Sequence, residues 1–505
     1  MSRTSDLHRP SALLPLPLAL LMLSALPVVA HAAAPSPYVG GKFGATVNWP
    51  IIPIHAVLLP DGRVMNYGTD QNGSQSGQFV YDVWTPSLGT GTNAHQVLSN
   101  TTGTDIFCSA QVVVPADNSV LITGGDLTVN GVRNYSNQDI TNFNYSTNQL
   151  NANANKLSQR RWYPSVLTLA NADVLVLGGR ADPQTPVPTP QVYTPGTGWR
   201  DLTGATSDAA YGSGNVAYPR AWQAPNGKVF VLPVDGSSYF MDPVGTGAIT
   251  KTAVTVPVGY AYLPSVMFSP GKILSIRQGG NTQLINLTGA TPTATAQAKL
   301  SQDRFHANAT VLADGKVLVS GGSAVDNVAT NVAYQVALWN PMNNTWTNGA
   351  IATQMRLYHS VAMLLADGTV LTAGGGAPGP INNLNAEIYS PPYLFTSSGA
   401  LAARPTLSAT PGYVSWGKSF TAKVAASGSI FSPTISRATL VKTGTVTHTV
   451  DFDQRFIELT FRQSGSQLTL TAPANGNTAP PGNYMLFVFN SSGVPSVAKV
   501  VRLGV

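Results

Sequence analysis

The chain of 505 residues is long enough for two or three domains with a large buried core. Only 10% of its residues are charged, whereas 48 are glycine and 37 are proline, a balance that favours short strands joined by turns and excludes a fold of long amphipathic helices. The net charge of +6 comes from scattered lysines and arginines without a basic run, so no nucleic acid partner is expected.

The N-terminal segment predicts a secretory signal peptide over residues 1–34. Arg3 and Arg9 precede the apolar run LLPLPLALLMLSALPVV, which ends in the small residues AHAAA, and we expect cleavage after Ala32 or Ala34. A lasting membrane anchor is the alternative, but prolines interrupt a run barely long enough to cross a hydrocarbon core of ~30 Å. We therefore expect a secreted protein, extracellular or periplasmic, with no membrane span after cleavage.

A pattern of forty to fifty residues then recurs, and such periods indicate propellers or solenoids. The recurring unit is an apolar strand, a turn of the Asp-Gly or Asn-Gly type, a second apolar strand and a glycine pair, which together describe a β-hairpin. The seven copies begin at Ile54, Ser109, Trp162, Ala221, Tyr262, Phe305 and Tyr358. They resemble kelch repeats, and blades stacked radially bury both faces of each hairpin. We predict a seven-bladed β-propeller over residues 35–398, with six blades as the alternative because copies four and five are weak.

The period stops after Pro391. Short alternating segments such as SFTAKVAAS and RFIELTFRQSGSQLTLTAP follow from about Leu401 without glycine pairs. This spacing is typical of a β-sandwich. We predict a separate immunoglobulin-like domain over residues 399–505, packed against one end of the propeller, so that the whole fold is all-β.

Cysteine usage is unusual for an exported protein. The chain has a single cysteine, Cys108, which cannot form an internal disulfide. Free cysteines are among the most buried residues, so an inert packing role is one interpretation. A chemical role that needs only one cysteine is the other.

Four segments carry side chains that suit chemistry: DIFCSA with Cys108, RRWYPS with Tyr163, MRLYHS with Tyr358 and His359, and TVTHTV with His448. The first three segments lie at nearly equivalent positions on the leading edges of blades two, three and seven, so the symmetry of a propeller turns them toward its axis. His448 belongs to the C-terminal domain and reaches the axis only if a hairpin loop projects into the central channel.

Two imidazoles and two phenols are suitable ligands for a redox-active copper ion, since neutral imidazole binds Cu(II) well and phenolate is an oxidisable oxygen donor. Taken singly, each of these tyrosines and histidines is equally compatible with ordinary packing. The residue types alone therefore leave a copper site and a set of core residues both open.

The stretches MRLYHSVAMLLADGTVLTAGGG, NAEIYSPPYLF, GTVTHTVDFDQRFIELTF and PPGNYMLFVFNSSGVPSVAKVVRL resemble, in the same order, segments of the copper radical oxidases, the family of galactose oxidase and glyoxal oxidase. The resemblance implies one copper ion held by Tyr163, Tyr358, His359 and His448. It also implies a thioether between Cys108 and Tyr163, which forms a radical cofactor and gives the lone cysteine a purpose. Tyr358 would be the axial ligand and the general base.

The implied activity is oxidation of a small aldehyde of the glyoxal type or a primary alcohol by O2, with release of hydrogen peroxide. Where galactose oxidase has a tryptophan that covers the thioether, this chain reads Gly178, Gly179, Arg180 and Ala181, so the shield comes from elsewhere or is missing. Trp162 is a candidate for it, and a packed core aromatic is the other interpretation of this residue.

Blade one begins at about Ile54, so the N-terminal carbohydrate-binding domain of galactose oxidase is not expected, which favours small substrates. We expect a monomer. The alternative function is a non-catalytic kelch propeller that binds a glycan or a protein partner.

Overall fold

The computed structural model describes residues 35–426 and 432–504. The predicted signal peptide lies outside these residues. Within them, no helix has the length and apolar character needed to cross a membrane. Two α-helices of four residues each occur in the described part, Pro37–Gly40 and Asp208–Tyr211. Short 3₁₀ turns lie at Pro86–Leu88, Thr92–Ala94, Thr203–Ala205, Gln278–Gly280 and Pro392–Leu394.

Seven antiparallel sheets follow one another along the chain as the blades of a propeller, so the predicted seven-bladed count is confirmed and the count of six is wrong. Blades one to three are His55–Leu58, Val64–Tyr67, Val80–Trp84 and His95–Ser99; Ala110–Val113, Val120–Thr123, Ile140–Asn144 and Gln149–Ala152; and Ser165–Thr168, Val174–Leu177, Gln191–Thr194 and Gly198–Asp201. Blades four and five are Arg220–Gln223, Val229–Leu232, Tyr239–Asp242 and Ala248–Lys251; and Ser265–Ser269, Lys272–Ile276, Thr282–Asn286 and Thr293–Gln297. Blade six is Asn308–Val311, Val317–Ser320, Gln335–Asn340 and Thr345–Ile351.

Blade seven closes the ring with strands from two distant parts of the chain. Ser360–Leu364, Val370–Gly374 and Asn385–Ser390 form its inner three strands. Its outer edge is formed by Lys42–Phe43 and Val47–Asn48 from the N-terminal segment, with Lys42 opposite Ser390. The ring is therefore tied by backbone hydrogen bonds between its first and last segments. Blade two also carries an extra hairpin, Asp126–Val129 and Val132–Ser136.

Buried arginines before the first strand of a blade donate hydrogen bonds to the glycine pair at the end of its second strand. Arg161 donates to the carbonyl of Gly178 at 2.6 Å, and Arg356 donates to that of Gly374 at 2.9 Å. The preceding glycine pairs let the backbone approach: a Cβ on Gly124 would lie 2.2 Å from the carbonyl oxygen of Arg161. Because the hydrogen bonds that a buried guanidinium donates offset the cost of burying its charge, these two arginines hold the leading edges of blades three and seven in place.

The C-terminal domain is a sandwich of two sheets, so the predicted immunoglobulin-like fold is confirmed, while its exact boundary stays a prediction. One sheet contains Pro405–Ser408, Ser419–Ala426, Gln467–Thr471 and Phe461–Ser464. The other contains Tyr413–Val414, Lys499–Leu503, Gly482–Asn490, Ile435–Lys442 and Phe456–Glu458. Alternate residues of Ser419–Ala426 are buried, as expected for a strand with one face on the core.

One hairpin leaves this sandwich and enters the propeller. Its strand Thr445–Thr447 pairs with His55–Leu58 and becomes a fifth strand of blade one, with Thr447 opposite His55. The turn that follows places His448 among the leading edges of the blades. A strand of the C-terminal domain thus completes the sheet of blade one, and this pairing determines where His448 lies.

Candidate metal centre

Five blades present a side chain to the axis from the same backbone position, just before the first strand. These residues are Cys108, Tyr163, Tyr218, His306 and His359, and all have a positive φ, from 46° to 66°. Left-handed backbone is uncommon outside glycine and costs free energy. Its repetition in five blades indicates that this turn orients side chains into the channel. His359 therefore occupies the position equivalent to Cys108 and Tyr163. The sequence-based prediction placed Tyr358 at this position and is therefore wrong by one residue.

The five residues that the sequence singled out lie together. One ligand atom each from Cys108, His359 and His448 lie within 4.8 Å of one another, and all three side chains are buried. The hydroxyl groups of Tyr163 and Tyr358 form a hydrogen bond to each other. The rings of His359 and His448 are nearly perpendicular, with centroids 4.6 Å apart. Residues more than 300 positions apart in the chain thus form one cluster.

Hydrogen bonds orient both histidines for metal binding. Nδ1 of His359 contacts the carbonyl of Gly376 at 2.8 Å, so Nδ1 carries the proton and the buried Nε2 keeps a lone pair without a hydrogen-bond partner. Thr447 donates its hydroxyl hydrogen to the carbonyl of Ile54 at 3.1 Å and can only accept from Nδ1 of His448, 2.6 Å away. Nε2 of His448 is therefore also a lone-pair donor.

Burial sets the charges of the cluster. It lowers the pKa of His359 to about 3 and the pKa of His448 well below its usual value, where His359 contributes further. Burial raises the pKa of Tyr163, Tyr358 and Cys108 well above their ordinary values. Two neutral imidazoles and two phenols then line one cluster, and a divalent cation there would favour ionised phenols. The orphaned imidazole nitrogen and this mixed N and O donor set fit Cu(II).

Trp162 covers one face of Tyr163. The two rings are stacked at 3.8 Å between centroids, with an interplanar angle of 8°. Trp162 itself is held by two backbone hydrogen bonds with Arg180, each 2.9 Å. The aromatic cover therefore comes from the residue next to Tyr163, and Arg180 beside Ala181 serves to anchor it.

Three further aromatic residues of the cluster were missed by the sequence analysis. Tyr218 is stacked on His448 at 4.6 Å and donates its hydroxyl to the carbonyl of Ser109 at 2.9 Å. His306 is stacked on Tyr262 at 4.8 Å, and both rings contact Tyr358. The sequence carried a signal for two of them. Tyr218 stands before a proline as Tyr163 does, and His306 opens copy six as His359 opens copy seven.

A buried carboxylate network supports the hairpin that carries His448. Asp451 accepts hydrogen bonds from the backbone amides of Thr445, Asp453 and Gln454, at 3.1–3.2 Å. Burial and the neighbouring Asp453 raise the pKa of the Asp451 carboxyl to about 7. Lys442 binds Asp453 at 2.9 Å, so that carboxylate is paired. These contacts hold both ends of the turn around His448.

Known proteins share this architecture. The family model described as "Galactose oxidase-like, Early set domain" matches residues 404–503. Galactose oxidase of Gibberella zeae is 29% identical over 518 aligned residues, which cover 93% of this chain and 71% of that protein. Aldehyde oxidase GLOX of Vitis pseudoreticulata is 26% identical, covering 79% of this chain and 82% of that protein. A solved structure of a fungal alcohol oxidase of the AA5 family, in complex with copper, superposes with a TM-score of 0.80 at 24% identity, covering 92% of this chain and 100% of that one.

Proposed function

We propose, because the chain belongs to the copper radical oxidase family, that it oxidises small aldehydes or primary alcohols with O2 and releases hydrogen peroxide. The observation that carries this proposal is the meeting of two imidazole lone pairs and two phenol hydroxyls from the propeller and the sandwich in one buried cluster. A propeller that only binds a partner has no need of this donor set.

Tyr163, Tyr358, His359 and His448 are the residues that would hold the copper ion. When bound, copper supplies a one-electron acceptor and a Lewis acid for the oxygen atom of the substrate. Both histidines are supported by fixed partners, Gly376 and Thr447, which keep the Nδ1 protons in place.

Cys108 and Tyr163 would provide the second one-electron acceptor through a thioether. Their blades are adjacent, and the amide of Tyr163 donates to the carbonyl of Cys108 at 3.0 Å, which keeps the two residues side by side. In the proposed crosslinking, a bond forms between Sγ and a ring carbon, the thiol and the ring each lose one hydrogen, and O2 is reduced to hydrogen peroxide. The buried, unpaired state of Cys108 supports this role.

The catalytic steps assign distinct tasks to the two tyrosines. Tyr163 is 5% exposed, whereas Tyr358 is partly exposed, which suits a base that takes the substrate's hydroxyl proton. The oxidised Tyr163 thioether would then take a hydrogen atom from the substrate carbon. A primary alcohol and O2 give an aldehyde and hydrogen peroxide; an aldehyde hydrate and O2 give a carboxylic acid and hydrogen peroxide.

The proposal also covers the setting of the enzyme. Small aldehydes and primary alcohols follow from the names of the relatives, which include an aldehyde oxidase and an alcohol oxidase. The predicted signal peptide supports export from the cell, to a compartment in which O2 is available as the co-substrate. A monomeric state stays a prediction, which light scattering of the purified protein checks.

The decisive experiment exploits the single cysteine. The purified protein is loaded with copper in air, unfolded, and treated with a thiol-alkylating reagent. We expect one copper per chain, a mass lower by two hydrogens, no alkylation, and peroxide release on a panel of aldehydes and alcohols. Tyr163→Phe is the matched control, since its Cys108 should remain alkylatable. An alkylatable Cys108 in the loaded wild-type protein, without peroxide on any substrate, would instead support the propeller that binds a glycan or protein.

A further inference from the structure

A polar cluster lies beside the metal centre, where the segments that lead into blades five and six meet. Nε2 of His306 contacts Oδ1 of Asp326 at 2.5 Å, and the hydroxyl of Tyr260 donates to Oδ2 of the same carboxylate at 2.5 Å. The ring of His306 meets the ring of Tyr358 at 5.1 Å between centroids. Asp326 is thus separated from the proposed base by one side chain.

Asp326 is partly exposed to solvent, whereas its hydrogen-bond partner His306 is buried. The side chain of Asp326 is 43% exposed, whereas that of His306 is 3% exposed. Hydrogen bonds from His306 and Tyr260 lower the pKa of the carboxyl below its ordinary value, so it is ionised at neutral pH. A carboxylate has about four acceptor sites, of which these two bonds use two. The free sites face solvent, and no lysine or arginine pairs with Asp326 in the described ranges.

The corresponding loop of blade three shows what an ordinary loop aspartate does. Asp182 follows the glycine pair of that blade as Asp326 follows the pair of blade six, and it accepts from Gln184 and Thr185 in its own loop. Asp326, in contrast, binds two side chains from outside its loop. It is therefore held toward the cluster and does more than cap its own turn.

The surroundings of the carboxylate are aromatic. Tyr260 meets the ring of Phe305 at 5.3 Å and that of Tyr262 at 5.7 Å, both edge to face. An ionised acceptor beside aromatic faces suits carbon-bound hydroxyl groups, because the hydroxyls donate to the carboxylate and the C–H surfaces pack on the rings. The same charge repels a second carboxylate at short range.

We propose that Asp326 is a specificity-determining residue that accepts a hydrogen bond from a hydroxyl group of the substrate beyond the carbon being oxidised. The substrate class is accordingly an alcohol or aldehyde hydrate that carries a second hydroxyl group, and carboxylate-bearing analogues are disfavoured. This inference rests on the proposed oxidase function and deepens it. His306 and Tyr260 act on the substrate only through Asp326, so they are positioning residues.

The test compares glycerol with glycerate, in which a carboxylate replaces one hydroxymethyl group. Peroxide release by the copper-loaded enzyme gives kcat/KM for each probe. We expect the wild type to favour glycerol, and Asp326→Asn to lower the glycerol value about threefold while raising the glycerate value about tenfold. Asp326→Ser, which removes the charge with a smaller side chain, should shift the ratio in the same direction. Asp182→Asn removes a charge from the corresponding loop and should leave the ratio unchanged.

A binding measurement separates this inference from the oxidase function. Saturation-transfer NMR on the metal-free protein reports binding of glycerol and glycerate without turnover. A glycerate signal that rises in Asp326→Asn but not in Asp182→Asn supports the subsite even if no variant releases peroxide, in which case only the oxidase proposal fails. Peroxide release by the wild type, with a glycerol to glycerate ratio that Asp326→Asn leaves unchanged, overturns the subsite and leaves the oxidase proposal standing.

Discussion

Trp162 lies flat against Tyr163, with ring centroids 3.8 Å apart and planes inclined by 8°. Adjacent residues in a strand point to opposite faces, so this contact requires the irregular backbone at Tyr163, whose φ is 65°. The left-handed turn brings the two side chains onto one side of the chain. The same backbone feature thus aims Tyr163 at the channel and lets its neighbour cover it.

Replacing this cover should destabilise the oxidised state of Tyr163. An aromatic pair contributes about 0.5–1.5 kcal/mol beyond its buried area, and its loss admits water to the ring. We expect Trp162→Ala to shorten the lifetime of the radical and to lower kcat/KM about tenfold. Trp162→Phe should give values between those of the wild type and Trp162→Ala. Decay of the radical's electron paramagnetic resonance signal after treatment with a one-electron oxidant measures this lifetime.

Trp199→Ala is the control for the loss of an indole. Trp199 lies on the outer strand of the same blade and packs against Tyr193 at 5.1 Å, away from the cluster. It should leave the radical lifetime unchanged. Equal lifetimes in Trp162→Ala and the wild type would refute the shielding role.

Tyr358→Phe tests the proposed base. The substitution keeps the ring that contacts His306 and Tyr262 but removes the hydroxyl that bonds to Tyr163. General base catalysis contributes about 10²–10⁴ in rate, so kcat should fall by that factor with a smaller change in KM. Tyr334→Phe, at an exposed site of blade six, is the matched control. A loss of kcat below about tenfold would assign the proton transfer to another group.

Thr447→Val tests the orientation of His448. The variant keeps the β-branched shape that suits the strand but removes the acceptor that holds the Nδ1 proton. Loss of such a supporting partner costs about 10–100-fold in metal affinity. Competition titration with a chelator measures the copper affinity, and Thr447→Ser, which keeps the hydroxyl, should restore it. Unchanged affinity in Thr447→Val would show that the hairpin alone orients the ring.

Asp451 predicts a pH dependence of stability. Its pKa of about 7 in the folded protein exceeds the value of 3.8 expected for an exposed carboxyl. Between about pH 4 and pH 7 the unfolded chain binds fewer protons at this residue than the folded one. Its contribution to the free energy of unfolding therefore falls as pH rises, by at most about 1.4 kcal/mol per pH unit.

Asp451→Asn removes this titration. The free energy of unfolding of the variant should rise relative to the wild type as pH increases from 4 to 7, as measured by urea unfolding of the metal-free proteins. Asp117→Asn, at an exposed turn of blade two, accounts for the substitution itself. No relative change, or one in the opposite direction, would show that Asp451 is ionised in the folded protein throughout this range.

Much of the fold could be read from local patterns. The recurring hairpins predicted seven blades because each Asp-Gly or Asn-Gly turn and each apolar strand is encoded within a few residues. Ring closure could not be predicted in this way. The strands Lys42–Phe43 and Val47–Asn48 have two residues each, too few to show any alternation.

The candidate site divides similarly. Resemblance singled out Cys108, Tyr163, Tyr358, His359 and His448, and the structure brings all five together. Tyr218 was missed because it precedes the weak fourth copy, and His306 was missed because it opens a copy that none of the resembling stretches includes. Asp326 escaped because its loop has no pattern, and only its contacts with His306 and Tyr260 distinguish it from Asp182.

By itself the sequence determined the strand pairs, the repeat, the second domain and the types of side chain available for chemistry, since these depend on neighbours along the chain. The tertiary structure alone decided which side chains meet. Closure of seven blades brings residues 108, 163, 218, 306 and 359 to one axis, and pairing of Thr445–Thr447 with blade one brings His448 to them. The distances between these side chains depend on the whole ring, because the position of each blade depends on how all the preceding blades pack against one another.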